Sequence, residues 1–376
     1  MKSLFDIKLG LIVILIIDIY LLLYMGQTLE LPIQNLNARM SIMLTLVVFT
    51  VFYGVREISR RTTLINLRIF VIYLCLVLFQ IILHGTKTSS HLLYELYFPV
   101  MFFSSFLVLN KASSKTLDKI ISLQYMCCIV FFLVFIYGVL FMGRVQGIYK
   151  STCFYLCCIL PFILASSKNW MKISGLILCI LPSIIVSKRT PLLGIIAAYI
   201  IYVLISMKNN KHKWRILFSS LSAIAVVYYL SLNLDTDIFD RIRTMDEDGG
   251  SGRLYIFSAV WQGINNSSWW QWLLGHGVYQ EYATDNGFAA HNDFLEVFWN
   301  YGFVGFIVYI LMIFRLFKNR FYIKAYKPEL YAVYIASIVQ FIVCSLSTNL
   351  LFNPSYIALF VMFWGYCYAG IKYRIR

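Results

Sequence analysis

Three stretches of this chain combine residue types that could do chemistry. AAHNDFLEVFWNYGFVG (289–305) sets His291, Asn292 and Asp293 directly before an apolar run. Imidazole titrates near neutral pH, so His291 can take the proton of an attacking hydroxyl. SKRT (187–190) carries Lys188 and Arg189, and GRVQGIYK (143–150) carries Arg144. A polar stretch further on adds Arg241, Arg243 and Arg253. Guanidinium forks pair bidentately with phosphate oxygens, so basic turns of this kind suit a phosphate-bearing substrate. A histidine base facing an arginine-lined pocket suffices for glycosyl transfer from a phosphate leaving group whose charge is already stabilised. No Ser-His-Asp arrangement, no acidic repeat and no metal-ligand cysteine spacing is present, so no metal or cofactor is expected.

Each of these residues also has a plainer reading. A basic side chain can snorkel to lipid headgroups or pair with Asp235, Asp237, Asp240, Asp246, Glu247 or Asp248. Asn292 or His291 can cap a short helix running through Trp299, with Asp293 placed favourably against its dipole. His276, between two glycines, reads as a loop residue. The recurrence of basic turns on one face, argued below, favours the functional reading for the arginines.

The elements that must position these residues are set by composition. Of 376 residues, 60% are hydrophobic and 13% charged, against about 25% charged in a soluble domain. Aromatics at 17% fit a chain with Trp and Tyr at bilayer interfaces. The formal charge of +15 is then explained by Lys/Arg-rich cytoplasmic loops, and no basic-aromatic module for nucleic acid is present. All nine cysteines lie in apolar runs and read as small buried hydrophobes. Twelve apolar stretches approach the roughly 20 residues a spanning helix needs. They lie near 9–25, 40–55, 65–84, 92–110, 119–142, 151–166, 170–187, 190–206, 214–232, 302–318, 329–348 and 354–371. The first has no small-residue cleavage site behind it and reads as an uncleaved span.

The expected architecture is therefore an all-α polytopic membrane protein. Spans 1–9 fill 1–232, one large loop fills 233–300, and spans 10–12 fill 301–376. With both termini cytoplasmic, 23 of the 32 Lys and Arg fall inside and nine outside, as the positive-inside rule requires. Those nine are Arg39, Lys87, Arg144, Lys150, Lys188, Arg189, Arg241, Arg243 and Arg253. The long loop, with His291 at its end, then faces outward just above the bilayer.

Within the loop, Gly249 and Gly250 break the chain and Ser251 is a candidate N-cap. Leu254, Phe257, Val260, Trp261 and Ile264 repeat at helical spacing and predict one apolar face. Arg253 sits in the first turn, where a helix N-terminus already attracts anions. Trp269, Trp270 and Trp272 follow. They can anchor the loop at the membrane surface or stack on sugar rings, and anchoring is the simpler role.

The order SGR, LLGHGV, AHNDFLEVFWNYGFVGFIVYIL resembles the O-antigen polymerase and O-antigen ligase superfamily. Its SGR-W, G-x-G and HN-x-x-L-x-x-x-x-x-x-G-x-x-G motifs correspond to Ser251, Gly252, Arg253 and Trp261, to Gly275 and Gly277, and to His291, Asn292, Leu295, Gly302 and Gly305. SKRTPLL resembles the family's S-x-R turn through Ser187 and Arg189, and RVQG resembles its R-x-x-G turn through Arg144 and Gly147. The latter departs from the family pattern where Lys150, Ser151 and Thr152 follow.

The resemblance implies a bacterial inner-membrane glycosyltransferase acting on undecaprenyl-diphosphate-linked glycans at the periplasmic face, without a metal. It implies Arg189, Arg253 and His291 as catalytic residues, with Arg144, Lys188, Arg241, Arg243, Asn292 and Asp293 binding substrate. Membrane lipids and a chain-length regulator protein are the further partners. Polymerase is the favoured activity. The alternative is a ligase that transfers the glycan to lipid A–core. A polysaccharide transporter or flippase also fits twelve spans, but no internal repeat supports it. Asp18 and Glu95 lie in apolar runs, where acids are functional candidates by default.

Overall fold

The computed structural model describes residues 64–85, 114–141, 149–186, 188–206, 252–277 and 289–368. Isolated helical residues are also described at 16–19, 21, 42, 45, 214, 218, 222 and 225. Among the described residues every element is helical. The helices are α1 (Leu64–His84), α2 (Ser114–Phe141), α3 (Tyr149–Leu164), α4 (Asn169–Ile185) and α5 (Arg189–Ser206). Then come α6 (Arg253–Asn266), α7 (Trp269–Leu274), α8 (Asp293–Tyr326), α9 (Pro328–Ser345) and α10 (Pro354–Tyr368). The expected spans near 9–25, 40–55, 92–110 and 214–232 lie outside the described residues, apart from the isolated positions named above.

Among the described residues, four helices are long and apolar enough to cross a membrane: Asp118–Leu140, Arg189–Ser206, Asp293–Tyr326 and Pro328–Ser345. Shorter apolar helices lie at Arg68–His84, Thr152–Leu164, Asn169–Ile185 and Tyr356–Tyr368. Three prolines stand at helix starts, where their missing N–H costs little, while Pro161 and Pro182 lie inside α3 and α4. Pro328 and Pro354 open α9 and α10, and Pro191 falls in the first turn of α5.

The core is a helical bundle in which α5 packs most extensively on α9, α2 lies against α3 and α4, and α8 touches α1, α7 and α9. Small residues let the backbones approach: a β-carbon on Gly194 of α5 would strike the Cys344 sulfur of α9. Several buried amide side chains donate hydrogen bonds across these seams. Gln340 donates from Nε2 to the Cys157 carbonyl at 2.7 Å, and Asn319 Nδ2 donates to the Tyr368 hydroxyl at 3.0 Å. Gln124 donates from Nε2 to both Asp18 oxygens at 3.0 Å, so this buried acid faces the bundle interior. Eight of the nine cysteines are buried, and all nine are free thiols. Cys75 is exposed, contrary to the expectation of uniform burial, because it lies on an outward side of α1.

α8 is two helices joined at a kink: a short one from Asp293 that breaks at Gly302 (φ 66°, ψ −167°), as the expected helix through Trp299 and span from 302 require, and a second that continues past 318 to Tyr326. The part beyond the bend is about 36 Å long at ~1.5 Å per residue, enough for a hydrocarbon core of about 30 Å. The polar cluster at 291–293 thus stands one short helical segment away from a spanning segment.

Candidate active site

The site is assembled where the N-terminal ends of α5, α6 and α8 meet the turn after α9. At the first, the Lys188 amide donates back to the Ser183 carbonyl at 2.9 Å, closing the α4–α5 turn tightly. Arg189 opens α5 half-buried, and Thr190 behind it is buried. α6 begins at Arg253, and its N-cap is Gly252 in the left-handed conformation (φ 76°) rather than Ser251, which lies outside the described residues. With no side chain at the cap, the first-turn amides of α6 gain nothing from their own N-cap residue.

Arg253 is directed toward α5. Its Nη1 donates to the Thr190 hydroxyl at 3.3 Å. Burial and then the positive charge of Arg189 draw its pKa below the ordinary arginine value. Arginine keeps its proton under these conditions. Two cations are therefore held within electrostatic reach of one another in a partly desolvated place.

The third contributor is the start of α8. Asn292 is its N-cap: the side-chain oxygen accepts from the amides of Phe294 at 2.9 Å and Leu295 at 3.2 Å. His291, just before it, has φ 50°. Left-handed backbone is uncommon outside glycine, although His is among the residues enriched there. Loss of ring hydration, then the charges of Arg253 and Lys188, push the His291 pKa below 6.5. At neutral pH the ring is the free base. Glu296 fixes the approach, accepting from the Ala290 amide at 2.7 Å and from Asn300 Nδ2 at 3.2 Å.

The fourth contributor was not legible as such. The sequence reading carried a span through 348, but α9 ends at Ser345 and a polar turn follows. Asn292 Nδ2 donates to the Leu346 carbonyl at 3.1 Å. Asp293, fully buried, accepts from the Ser345 hydroxyl at 2.6 Å and from the Leu351 amide at 3.0 Å. Ser347 reaches across to Thr190, oxygen to oxygen, at 2.8 Å. The signal was present as Ser345, Ser347, Thr348 and Asn349 interrupting an apolar run. Hydropathy alone absorbs four such residues into a span.

A separate joint seats the loop helices on α8. The His276 amide donates to the Trp299 carbonyl at 2.9 Å, and the Gly277 amide to the Asn300 carbonyl at 3.0 Å. The His276 ring stacks on Trp299 with centroids 3.7 Å apart, and its Nε2 is 2.8 Å from the Ser267 hydroxyl. His276 is a structural residue of this joint. From the bundle, Gln80 of α1 donates to the Leu274 carbonyl.

The apolar face of α6 is narrower than its periodicity predicts. Val260 and Ile264 are buried, with Ile256 against them, on Ala290 and Trp299. Leu254 and Trp261 stay largely exposed, although the Trp261 ring lies 6.5 Å from that of Phe298 on α8. Trp269 and Trp270 stack on each other and are 61% and 63% exposed, while Trp272 stacks on Phe303 of α8.

The structure thus brings Arg189, Arg253, Lys188 and His291 into one neighbourhood, and gives Asn292 and Asp293 backbone and turn partners within it. Arg144, Arg241 and Arg243 lie outside the described residues. Among the described residues no group of three or more His, Cys, Asp and Glu side chains is gathered for a metal ion.

A family model described as O-antigen ligase matches residues 174–310, the stretch that contains α5, α6, α7 and the first part of α8. That match supports the O-antigen polymerase and ligase superfamily. No curated protein matches the chain.

Proposed function

We propose that this chain, whose segment 174–310 carries the O-antigen ligase family match, is an O-antigen polymerase of the bacterial inner membrane. It joins undecaprenyl-diphosphate-linked repeat units at the outward face, with both termini cytoplasmic. The observation that supports the reading is that Arg253, donating to Thr190 of α5, lies within electrostatic reach of both Arg189 and His291, on elements far apart in sequence. Two neighbouring guanidinium groups in a partly desolvated place repel each other, and a diphosphate between them would reverse the sign of that energy.

In the proposed reaction the acceptor hydroxyl oxygen bonds to the anomeric carbon of the donor glycan as the bond from that carbon to the diphosphate oxygen breaks. The electron pair leaves on undecaprenyl diphosphate, whose charge Arg189 and Arg253 neutralise, with Lys188 adding to the local positive potential. The acceptor's proton passes to His291, which is unprotonated at neutral pH. Asn292 and Asp293 act by holding His291 and the turn after α9 in place, since their side-chain polar atoms are engaged there. Arg144, Arg241 and Arg243 are proposed as further contacts to the charged lipid. Nothing in this scheme calls for a metal, so chelation should leave the rate unchanged.

A ligase that moves the glycan to lipid A–core is the second reading, and the description of the matching family model favours it. Purified full-length chain given lipid-linked repeat units alone separates the two. A ladder of longer glycans supports polymerase, and product only after addition of lipid A–core supports ligase. Movement of the lipid across the bilayer without new linkages would support a transporter and overturn both.

A further inference from the structure

Arg253 has more built around it than a charge at a helix end requires. Its Nη1 donates to Thr190, and the same Thr190 oxygen lies 2.8 Å from Ser347. Ser347 sits in the turn after α9, and that turn is held from two sides by residues adjoining His291. Asn292 Nδ2 donates to the Leu346 carbonyl, and Asp293 accepts from Ser345 and from the Leu351 amide. The hydrogen bonds run in series from α6 through Arg253, α5 through Thr190 and the turn through Ser347 to the start of α8 through Asn292 and Asp293, and the packing of Val260 and Ile264 of α6 on Trp299 of α8 closes them into a ring. Thr190 and Asp293 are buried, so the two pivots of the ring are shielded from water. Hydrogen bonds in such surroundings hold geometry more firmly than exposed ones.

We infer that Thr190 and Ser347 are positioning residues that fix the Arg253 guanidinium relative to His291 through the turn 346–353. The inference rests on the proposed function, in which Arg253 neutralises the departing diphosphate while His291 takes the acceptor proton. Both events act at one anomeric carbon, so their catalytic groups must keep a fixed separation. A base and an anion clamp on three elements, α5, α6 and the start of α8, would not keep it unless tied together. Thr190 supplies the tie because its hydroxyl alone meets both Arg253 and Ser347.

The test uses full-length protein in lipid nanodiscs with lipid-linked repeat units, measuring kcat and KM for chain extension. Thr190→Val keeps the side-chain shape and removes the hydroxyl. It should lower kcat roughly tenfold, as misplacement of a catalytic group does, with KM moving less. Thr190→Ser should restore most of the rate. Ser347→Ala should fall on the same side, with a smaller loss. In an Arg253→Lys background, which lacks the planar fork, Thr190→Val should cost about twofold or less, because the contact it removes is already compromised. A role in folding alone would subtract the same factor in both backgrounds. Should Thr190→Val fail to insert, Ser347→Ala alone and in the Arg253→Lys background carries the same comparison. Wild-type turnover in both Thr190→Val and Ser347→Ala overturns the inference and leaves the proposed function standing. Wild-type turnover in Arg253→Ala overturns the proposed function itself.

Discussion

Gly275 and Gly302 press their backbones together so closely that neither has room for a side chain. A β-carbon on Gly275 would lie 2.6 Å from the Gly302 nitrogen, and one on Gly302 would lie 2.5 Å from the Gly275 nitrogen. Both residues also hold positive φ, 86° and 66°. The contact docks the turn after α7 into the bend of α8, and the His276 and Gly277 amides cap the carbonyls that the bend exposes. It is the mechanical link between the loop helices and the segment that carries His291.

Gly302→Ala should therefore act on both stability and catalysis. The left-handed backbone alone costs roughly 1–2 kcal/mol with a β-carbon, and the collision with the Leu273 carbonyl adds to it. The expected result is a lower thermal midpoint in detergent together with reduced extension activity. Gly252→Ala is the comparison: its β-carbon would meet nothing within 4 Å, so only the backbone cost applies and the loss should be smaller.

The acid limb of the rate profile should report His291. Burial and the charges of Arg253 and Lys188 hold its pKa below 6.5, so the acid limb of kcat/KM should have its midpoint below pH 6.5. Removing a neighbouring positive charge makes protonation easier. Lys188→Gln should therefore move the acid limb to higher pH, and the pH dependence of extension by the two proteins tests this. An acid limb unchanged by Lys188→Gln would separate that charge from the base.

The exposed Trp269–Trp270 pair should lie in the outer leaflet of the membrane. Trp272, next along α7, stacks on Phe303, and Phe303 opens an outward stripe of α8 that continues through Ile307, Ile310, Leu311 and Phe314. Lipids brominated on the acyl chain near the headgroup should quench part of the tryptophan fluorescence. A Trp269→Phe, Trp270→Phe double variant should lose that part. Equal quenching in both proteins would place the pair in water or against glycan.

Much of this was readable from residue order. The stretch expected as a span at 65–84 is helix 64–84, that at 190–206 is helix 189–206, and SGR does open an amphipathic helix. Twenty apolar residues have few ways to satisfy their backbone in lipid, so composition nearly determines helix there. The misses have a common cause. Ser251 was favoured as N-cap by propensity, yet Gly252 takes the place because the chain must turn left-handed before Arg253. Leu254 and Trp261 fitted a helical stripe, yet only Val260 and Ile264 meet Ala290 and Trp299. Thr190, Ser345 and Ser347 matter through partners up to 157 positions away, and no local pattern announces such a partner. Types and spacing pointed to Arg189, Arg253 and His291; the turn that ties them together came only from the fold.

The most direct test of the central claim is chain extension by Arg189→Ala, Arg253→Ala and His291→Ala, each as full-length protein reconstituted with lipid-linked repeat units. If two arginines hold the diphosphate and His291 serves the acceptor, all three should insert normally and yield no glycan longer than the starting unit. A wild-type ladder from all three would contradict the account.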